Sequence, residues 1–205
     1  KEEFYSGDFK KFNNSTLEVQ LENQDFYEGK WKDMVDNIIE IKNMPVKGMD
    51  ILDVGCGWAT MLLYFKNLGL NCFGFDPAEE AIKYGESKGL NVIHSGVNNI
   101  DLFNGKKFDL ITLMNVYEHL RDPLDIISQI KKILKDDGIL IIDVPNEFNN
   151  FQTVGRDLYN LENWWVYPPR HLNYFSGETL KKLLIGEGFE VKILEASFPL
   201  EIFLL

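Results

Sequence analysis

Cysteine, histidine and long apolar runs are all scarce in this chain of 205 residues. Cys56 and Cys72 are its two cysteines, and each sits inside an apolar segment. That composition excludes a disulfide-stapled secreted domain and fits a reducing cytoplasm. No apolar run approaches the roughly 20 residues that cross a bilayer, so no membrane partner is expected. Positive charge is also in short supply, with 21 Lys and Arg against 32 Asp and Glu and a formal net charge of −11. Such a field repels phosphate backbones and anionic lipid, which removes nucleic acid as a first choice of partner. The chain opens at Lys1 with no basic-then-apolar leader, as a trimmed segment would and a targeting peptide would not. Repeats and low-complexity tracts are absent. The remaining composition, 45% hydrophobic and 26% charged, suffices for one ordinary globular domain with a real core.

From residue 50 onward, β-branched and apolar runs alternate with helical periodicity, the pattern of parallel strands covered by helices. Five strands are predicted: Ile51–Val54, Cys72–Phe75, Val92–His94, Phe108–Met114 and Ile139–Val144. Their starts lie roughly 17 to 30 residues apart, room for one crossover helix each time. Right-handed crossovers then give an α/β, Rossmann-like, doubly wound and mostly parallel sheet with helices on both faces. Asp122 and Pro123 read as cap and first turn of a helix with Leu124, Ile127, Ile130 and Leu134 on one face, and Asp137-Gly138 precedes the fifth strand. Upstream, Trp31, Met34, Val35, Ile38 and Ile39 form a helical stripe ended by Pro45 and Gly48, a helix expected to pack on the sheet edge.

Residues 1–45 thus form an N-terminal lid and helix, and residues 46–205 the main domain. Within the first part, residues 1–30 read as either a lid or a disordered leader. Residues 145–175 are too long for a plain connection and hold many aromatics, which suggests an inserted lobe on the substrate side. Ser176 reads as a helix cap, Leu180, Leu183 and Leu184 as the buried face, Gly188 as the stop, and Val191–Leu194 as a sixth strand.

The strongest local signal is Asp53-Val54-Gly55-Cys56-Gly57-Trp58-Ala59, a glycine turn between a strand and a helix. Glycines there permit positive φ and let a ligand lie against bare backbone, while the helix offers its N-terminal amides. Asp76 follows Gly55 by 21 residues, at the end of the second strand, where a carboxylate can accept ribose hydroxyls. A dinucleotide fingerprint would place glycine at position 60, which is Thr60 here. Asp53 would repel a pyrophosphate and attract a ligand carrying an ammonium and a sulfonium.

Together with Phe75-Asp76, Phe108-Asp109-Leu110-Ile111, Asn115-Val116-Tyr117-Glu118-His119 and Asp122-Pro123, this turn resembles the class I S-adenosylmethionine-dependent methyltransferases over roughly residues 45–195. The Glu-His-Leu-x-Asp-Pro block and Pro-Pro-x-His-Leu-Asn-Tyr-Phe-Ser at 168–176 are most similar to the group of bacterial envelope-sugar and ubiquinone-pathway methyltransferases. The resemblance implies S-adenosyl-L-methionine as cofactor. Asp53, Gly55 and Gly57, with Cys56 between them, would hold its methionine part and Asp76 its ribose. Phe75 and Pro77 would flank the adenine, Gly96 and Val97 its far edge, and Asn115 with Val116 the region of the sulfur. Family members end in a hairpin whose last strand enters the sheet. No such strand is visible after Phe198, so either the final strand lies beyond residue 205, the favoured reading, or the sheet is irregular there.

The methyl donor is already activated, so catalysis is largely alignment and exclusion of water. A hydroxyl acceptor would also gain from a base, and histidine suits that task near neutrality. Among the three histidines, His94 lies in a strand and reads as structural. His119 follows the fourth strand's carboxyl end, with Glu118 before it and His171 in the aromatic lobe. His119 is the candidate base, with Glu118 and His171 as assistants; the alternative is that Glu118-His119 only braces its loop. Some relatives with Glu-x-x-Glu-His hold a divalent ion, but the first position here is Asn115, and no metal is expected. Trp164, Trp165 and Tyr167 read as either a substrate wall or a satellite core, and Arg170 as a grip for an anionic acceptor or as half of an internal ion pair. The partner implied is a small-molecule or glycan-precursor acceptor, most readily methylated at oxygen; oligomeric state is not legible. Two other classes stay open: a nicotinamide-dependent oxidoreductase or epimerase, disfavoured by Thr60 and the want of a well-placed Tyr-x-x-x-Lys pair, and a non-catalytic cofactor binder.

Overall fold

The computed structural model describes residues 17–103, 105–166 and 168–196. By packing, the chain divides into two units. One holds the chain up to Met114 together with Leu124–Ile142, and the other holds Asn115–Pro123 and the chain from Asp143 onward.

The first unit is built on a five-stranded sheet in the order β3-β2-β1-β4-β5. Its strands are β1 (Asp50–Val54), β2 (Asn71–Asp76), β3 (Asn91–His94), β4 (Phe108–Met114) and β5 (Leu134–Asp143). β1 runs parallel to β2 and β4, and β2 parallel to β3. The crossover helices are α2 (Thr60–Asn67), α3 (Glu79–Ser87) and α4 (Pro123–Ile133), with α1 (Gln24–Lys42) leading. A 3₁₀ segment, Val97–Phe103, links β3 to β4. The order reverses between β1 and β4, and ligands of open α/β sheets bind outside the strand carboxyl ends at such a switch point.

Parallel strands are buried on both faces, and the register shows how the chain meets that demand. Ile51, Cys72 and Leu110 align on one face, where they join Leu62 and Phe65 of α2, Ile82 of α3, and Val35 and Ile38 of α1 in a buried cluster. Leu52 and Ile111 align on the other face with no exposed surface, and Val54 and Leu113 are equally buried. The first five predicted strands form, within one residue at each end except for β5. That strand starts at Leu134, directly after α4, so Asp137-Gly138 lies inside it. Leu134 is consequently a strand residue, and the buried face of α4 is Ile126, Ile127, Ile130 and Ile133, with Leu124 half exposed.

The leading helix packs against α2, with the Trp31 ring 5.7 Å from that of Tyr64, and Lys42 in its last turn pairs with Asp137 of the edge strand β5 at 2.8 Å. Residues 24–30 are its first turns, and residues 17–22 are helical too; the rest of the expected lid lies outside the described residues.

The second unit contains α5 (Asn150–Tyr159) and α6 (Gly177–Gly186). α5 lies in the stretch read from sequence as irregular, and Asn149 caps it by accepting from the Gln152 amide at 3.0 Å. α6 starts at the predicted Ser176 cap, whose hydroxyl and Thr179 form a reciprocal capping box. Residues 191–196 are irregular, so the sixth strand does not form among the described residues. A strand requires a neighbour to complete its ladder, and Ile193 and Leu194 instead remain 42% and 48% exposed. The segment after residue 196, on which the missing final strand was argued, lies outside the described residues. No described helix is long and apolar enough to cross a membrane.

Candidate functional site

In the first unit, the predicted glycine turn is a tight cradle. Gly55 and Gly57 have φ of 75° and 49°, and Ala59 follows at 55° before α2 begins. The Gly55 and Cys56 amides donate to the Phe75 carbonyl at 2.9 and 3.0 Å, which ties the turn to the end of β2. Asp76 completes the tie: its two carboxylate oxygens accept from the Gly57 amide at 2.9 Å and the Ala78 amide at 2.7 Å. Burial raises the Asp76 pKa, and those two amides oppose the shift. Asp53 is 3% exposed in β1, between Leu52 and Val54, and accepts from the Thr112 hydroxyl at 2.6 Å. Its pKa is pushed up to about 7, chiefly by burial, with Thr112 pulling it down and Asp76 adding to the rise.

These features suit a cationic amino-acid nucleoside. A Cβ built on Gly57 or Gly96 meets nothing within 4 Å, so open space adjoins bare backbone there. The buried Asp53 gains from a positive partner, and Asp76 keeps lone pairs for hydroxyls. Pro77 and Gly96 are exposed and Val97 is half-buried at the neighbouring strand ends. Phe75 departs from its expected role as an adenine flank. It is 1% exposed and stacks on Phe103 at 6.0 Å, so its ring is spent on the core. The thiols of Cys56 and Cys72 are free and buried, with pKa values raised by burial. Cys56 therefore contributes backbone and no thiolate. His94 donates from Nε2 to the Pro77 carbonyl at 2.9 Å, the structural role expected of it.

In the second unit, Asn115 takes a left-handed conformation, φ 55°, and donates its amide to the Asp143 carbonyl at 2.8 Å. Asn115 is exposed and Val116 half-buried. The 3₁₀ turn Tyr117–His119 follows. Tyr117 is buried, stacked on Phe175 at 5.3 Å, and donates its hydroxyl to the Pro123 carbonyl. The Glu118 carbonyl accepts from the Leu172 and Asn173 amides, both at 2.9 Å, and the Asn173 side chain donates to the Leu120 carbonyl at 2.6 Å. These bonds fasten the Glu118-His119 turn to the segment bearing His171.

The outcome is a cluster of the three residues expected to act together. His119 Nδ1 lies 2.7 Å from the Arg170 carbonyl; since a carbonyl only accepts, Nδ1 carries a proton, so in the neutral ring the lone pair is on Nε2. Nε2 is 3.6 Å from Glu118 Oε1, and the His119 and His171 rings are 5.0 Å apart. Glu118 is 2% exposed, its Oε2 has no hydrogen-bond partner among the described residues, and burial raises its pKa. His171 Nδ1 stands 4.0 Å from Glu147 Oε1, and burial, then His119, lowers the His171 pKa. One ligand atom from each of Glu118, His119 and His171 falls within 4.8 Å of the others, a spacing able to hold a single cation.

Sequence reading missed Thr112, Glu147 and Asn173. Glu147 is 4% exposed, accepts from Gln152 Nε2 at 2.7 Å, and has its pKa raised by burial. The available signals were a hydroxyl inside an apolar central strand and a carboxylate just past the end of β5. In the aromatic stretch, Trp165 is 6% exposed with an unpartnered buried Nε1, while Trp164 is half exposed and packs edge-on against it at 4.8 Å. Arg170 lends its carbonyl to His119. Tyr167 lies outside the described residues.

A model of the methyltransferase domain matches residues 11–192. The ubiquinone biosynthesis O-methyltransferase of Actinobacillus pleuropneumoniae is 37% identical over 118 residues, covering 53% of this chain and 50% of that protein. That of Dinoroseobacter shibae is 33% identical over 155 residues, covering 71% and 62%. The chain thus spans about half to three fifths of the length of these curated relatives. Among solved structures, the plantazolicin methyltransferase BpumL in complex with SAH aligns with a TM-score of 0.66 and 19% identity over 91% of this chain and 73% of that one. A SAM-dependent methyltransferase from Archaeoglobus fulgidus aligns at 0.58 and 24% identity over 82% and 75%. Those two share the fold. With the family model spanning most of its length, the chain belongs to the methyltransferase domain family, built on the class I fold.

Proposed function

We propose that this chain transfers a methyl group from S-adenosyl-L-methionine to a hydroxyl of a small-molecule or glycan-precursor acceptor, with His119 as general base. The observation that carries the reading is the glycine turn held between two carboxylates, a buried Asp53 and a ribose-competent Asp76. The names of the curated relatives, O-methyltransferases of ubiquinone biosynthesis, support oxygen as the acceptor atom. When bound, the cofactor supplies a methyl activated by its positive sulfur.

The residues of this chain supply the rest. Asp53 neutralises the amino-acid end, Asp76 takes the ribose hydroxyls, and the open backbone at Gly57 admits the ligand closely. His119, its Nδ1 proton held by the Arg170 carbonyl, accepts the hydroxyl proton at Nε2, and the Glu118 carboxylate 3.6 Å away favours the imidazolium so formed. Trp164, Trp165 and Arg170 are assigned to the acceptor side on the same reading, with no metal required and the cytoplasm as its compartment.

A thermal-shift comparison tests the cofactor class. S-adenosylmethionine or S-adenosylhomocysteine at 100 times its Kd should stabilise the fold by about 2.7 kcal/mol, while NAD leaves it unmoved. Stabilisation by NAD alone ends the reading. Isotopic methyl transfer into a panel of hydroxylated acceptors then separates an enzyme from a silent binder.

A further inference from the structure

Thr112 of β4 stands in register with Asp53 of β1, so both side chains project from the same sheet face. The hydroxyl has no exposed surface, and its neighbours Leu110, Ile111 and Leu113 are likewise fully buried. A buried hydroxyl in such a strand is costly without a strong acceptor. Its Oγ1 lies 2.6 Å from Asp53 Oδ1 and 3.5 Å from the Leu52 carbonyl, so the carboxylate takes the proton. We propose that Thr112 is a positioning residue of the cofactor seat, whose hydroxyl favours the anionic form of Asp53 and aims it for the ammonium group of the methyl donor. This rests on the cofactor reading above.

Asp53 is surrounded unfavourably for a charge. Asp76 of β2 repels it, and the thiols of Cys56 in the turn and Cys72 in β2 are themselves pushed toward neutrality by it. Burial and Asp76 favour its protonated form, and the donor opposing them is Thr112. Removing that donor moves the proton uptake of the carboxylate to higher pH, so less of it is charged at neutrality, and a neutral carboxyl offers no counter-charge to an ammonium. The hydroxyl of Thr112 therefore acts through Asp53 and needs no contact with the ligand itself.

Thr112→Val keeps the branched shape and deletes the donor, and Thr112→Ser keeps the donor and deletes the methyl. The Asp53 carboxyl, followed by carbon-13 NMR in the full chain, should titrate about one pH unit higher in Thr112→Val and near the wild-type midpoint in Thr112→Ser. Affinity for S-adenosylmethionine, measured by calorimetry, should fall about fivefold at pH 7 in Thr112→Val and converge on wild type at pH 9, where both forms are ionised. An unchanged Asp53 midpoint, or a loss equal at both pH values, makes Thr112 a packing residue only and overturns the proposal. Thr112→Ala gives the same readouts on a second background should the valine variant not fold. If wild type takes up no S-adenosylmethionine at either pH, the functional reading falls, and the Asp53 titration alone still decides the role of Thr112.

Discussion

At the scale of single residues, His119 shows how a backbone carbonyl places a ring proton. The Arg170 carbonyl fixes the tautomer, which leaves the basic nitrogen on the Glu118 side of the ring. His119→Ala should lower kcat by roughly 10²- to 10⁴-fold while the Kd for S-adenosylmethionine stays within about twofold. Equal losses in both would turn the Glu118-His119 turn into a brace. Asp53, Asp76, Glu118 and His119 were legible in sequence because each stands beside a strand end or a glycine turn. Glu147 and Asn173 were not, since their meaning comes from partners distant in the chain, such as the Leu120 carbonyl held by Asn173. Phe75 misled for the converse reason. An aromatic at a strand end satisfies a ligand or a core equally well, and here Phe103 claims it.

At the scale of elements, β2 approaches the glycine turn and α2 so closely that one position admits only glycine. A Cβ at Gly74 would lie 2.8 Å from Leu62 Cδ1, 2.9 Å from Cys56 Sγ and 3.0 Å from Cys56 Cβ. Gly74→Ala should destabilise the fold by about 1–3 kcal/mol in chemical denaturation and weaken cofactor binding by displacing the turn. Unchanged stability and affinity would mean that β2 and α2 part without consequence. The strands of the first unit were readable because burial on both faces demands mostly apolar runs, as at Phe108–Met114, where only Asp109 and Thr112 interrupt. α5 was passed over although Phe151, Val154 and Leu158 fall at i, i+3 and i+7; that short stripe sits among polar residues and all three side chains stay more than half exposed. Val191–Leu194 has strand composition and no ladder.

At the scale of the whole molecule, several buried carboxyls share one direction of shift. Asp53, Asp76, Glu118 and Glu147 all have folded pKa values raised by burial, so between pH 4 and 7 the folded state binds more protons than the unfolded one. Their contribution to stability is full below their ordinary values and is lost as pH rises through the folded values, about 7 for Asp53. His171, lowered by burial, works the other way and loses its contribution as pH falls. The net charge of −11 sides with the carboxyls, since acidification relieves self-repulsion. Thermal melts should therefore show Tm higher at pH 5.5 than at pH 8 by about 5 °C or more, and a flat or inverted profile would refute this balance.

The Asp76 carboxylate stitches Gly57 to Ala78. On the proposed reading, that bracing makes the seat a finished mould. Little backbone entropy remains to be surrendered on uptake, so encounter frequency, more than any rearrangement of the turn, governs how quickly the mould is filled.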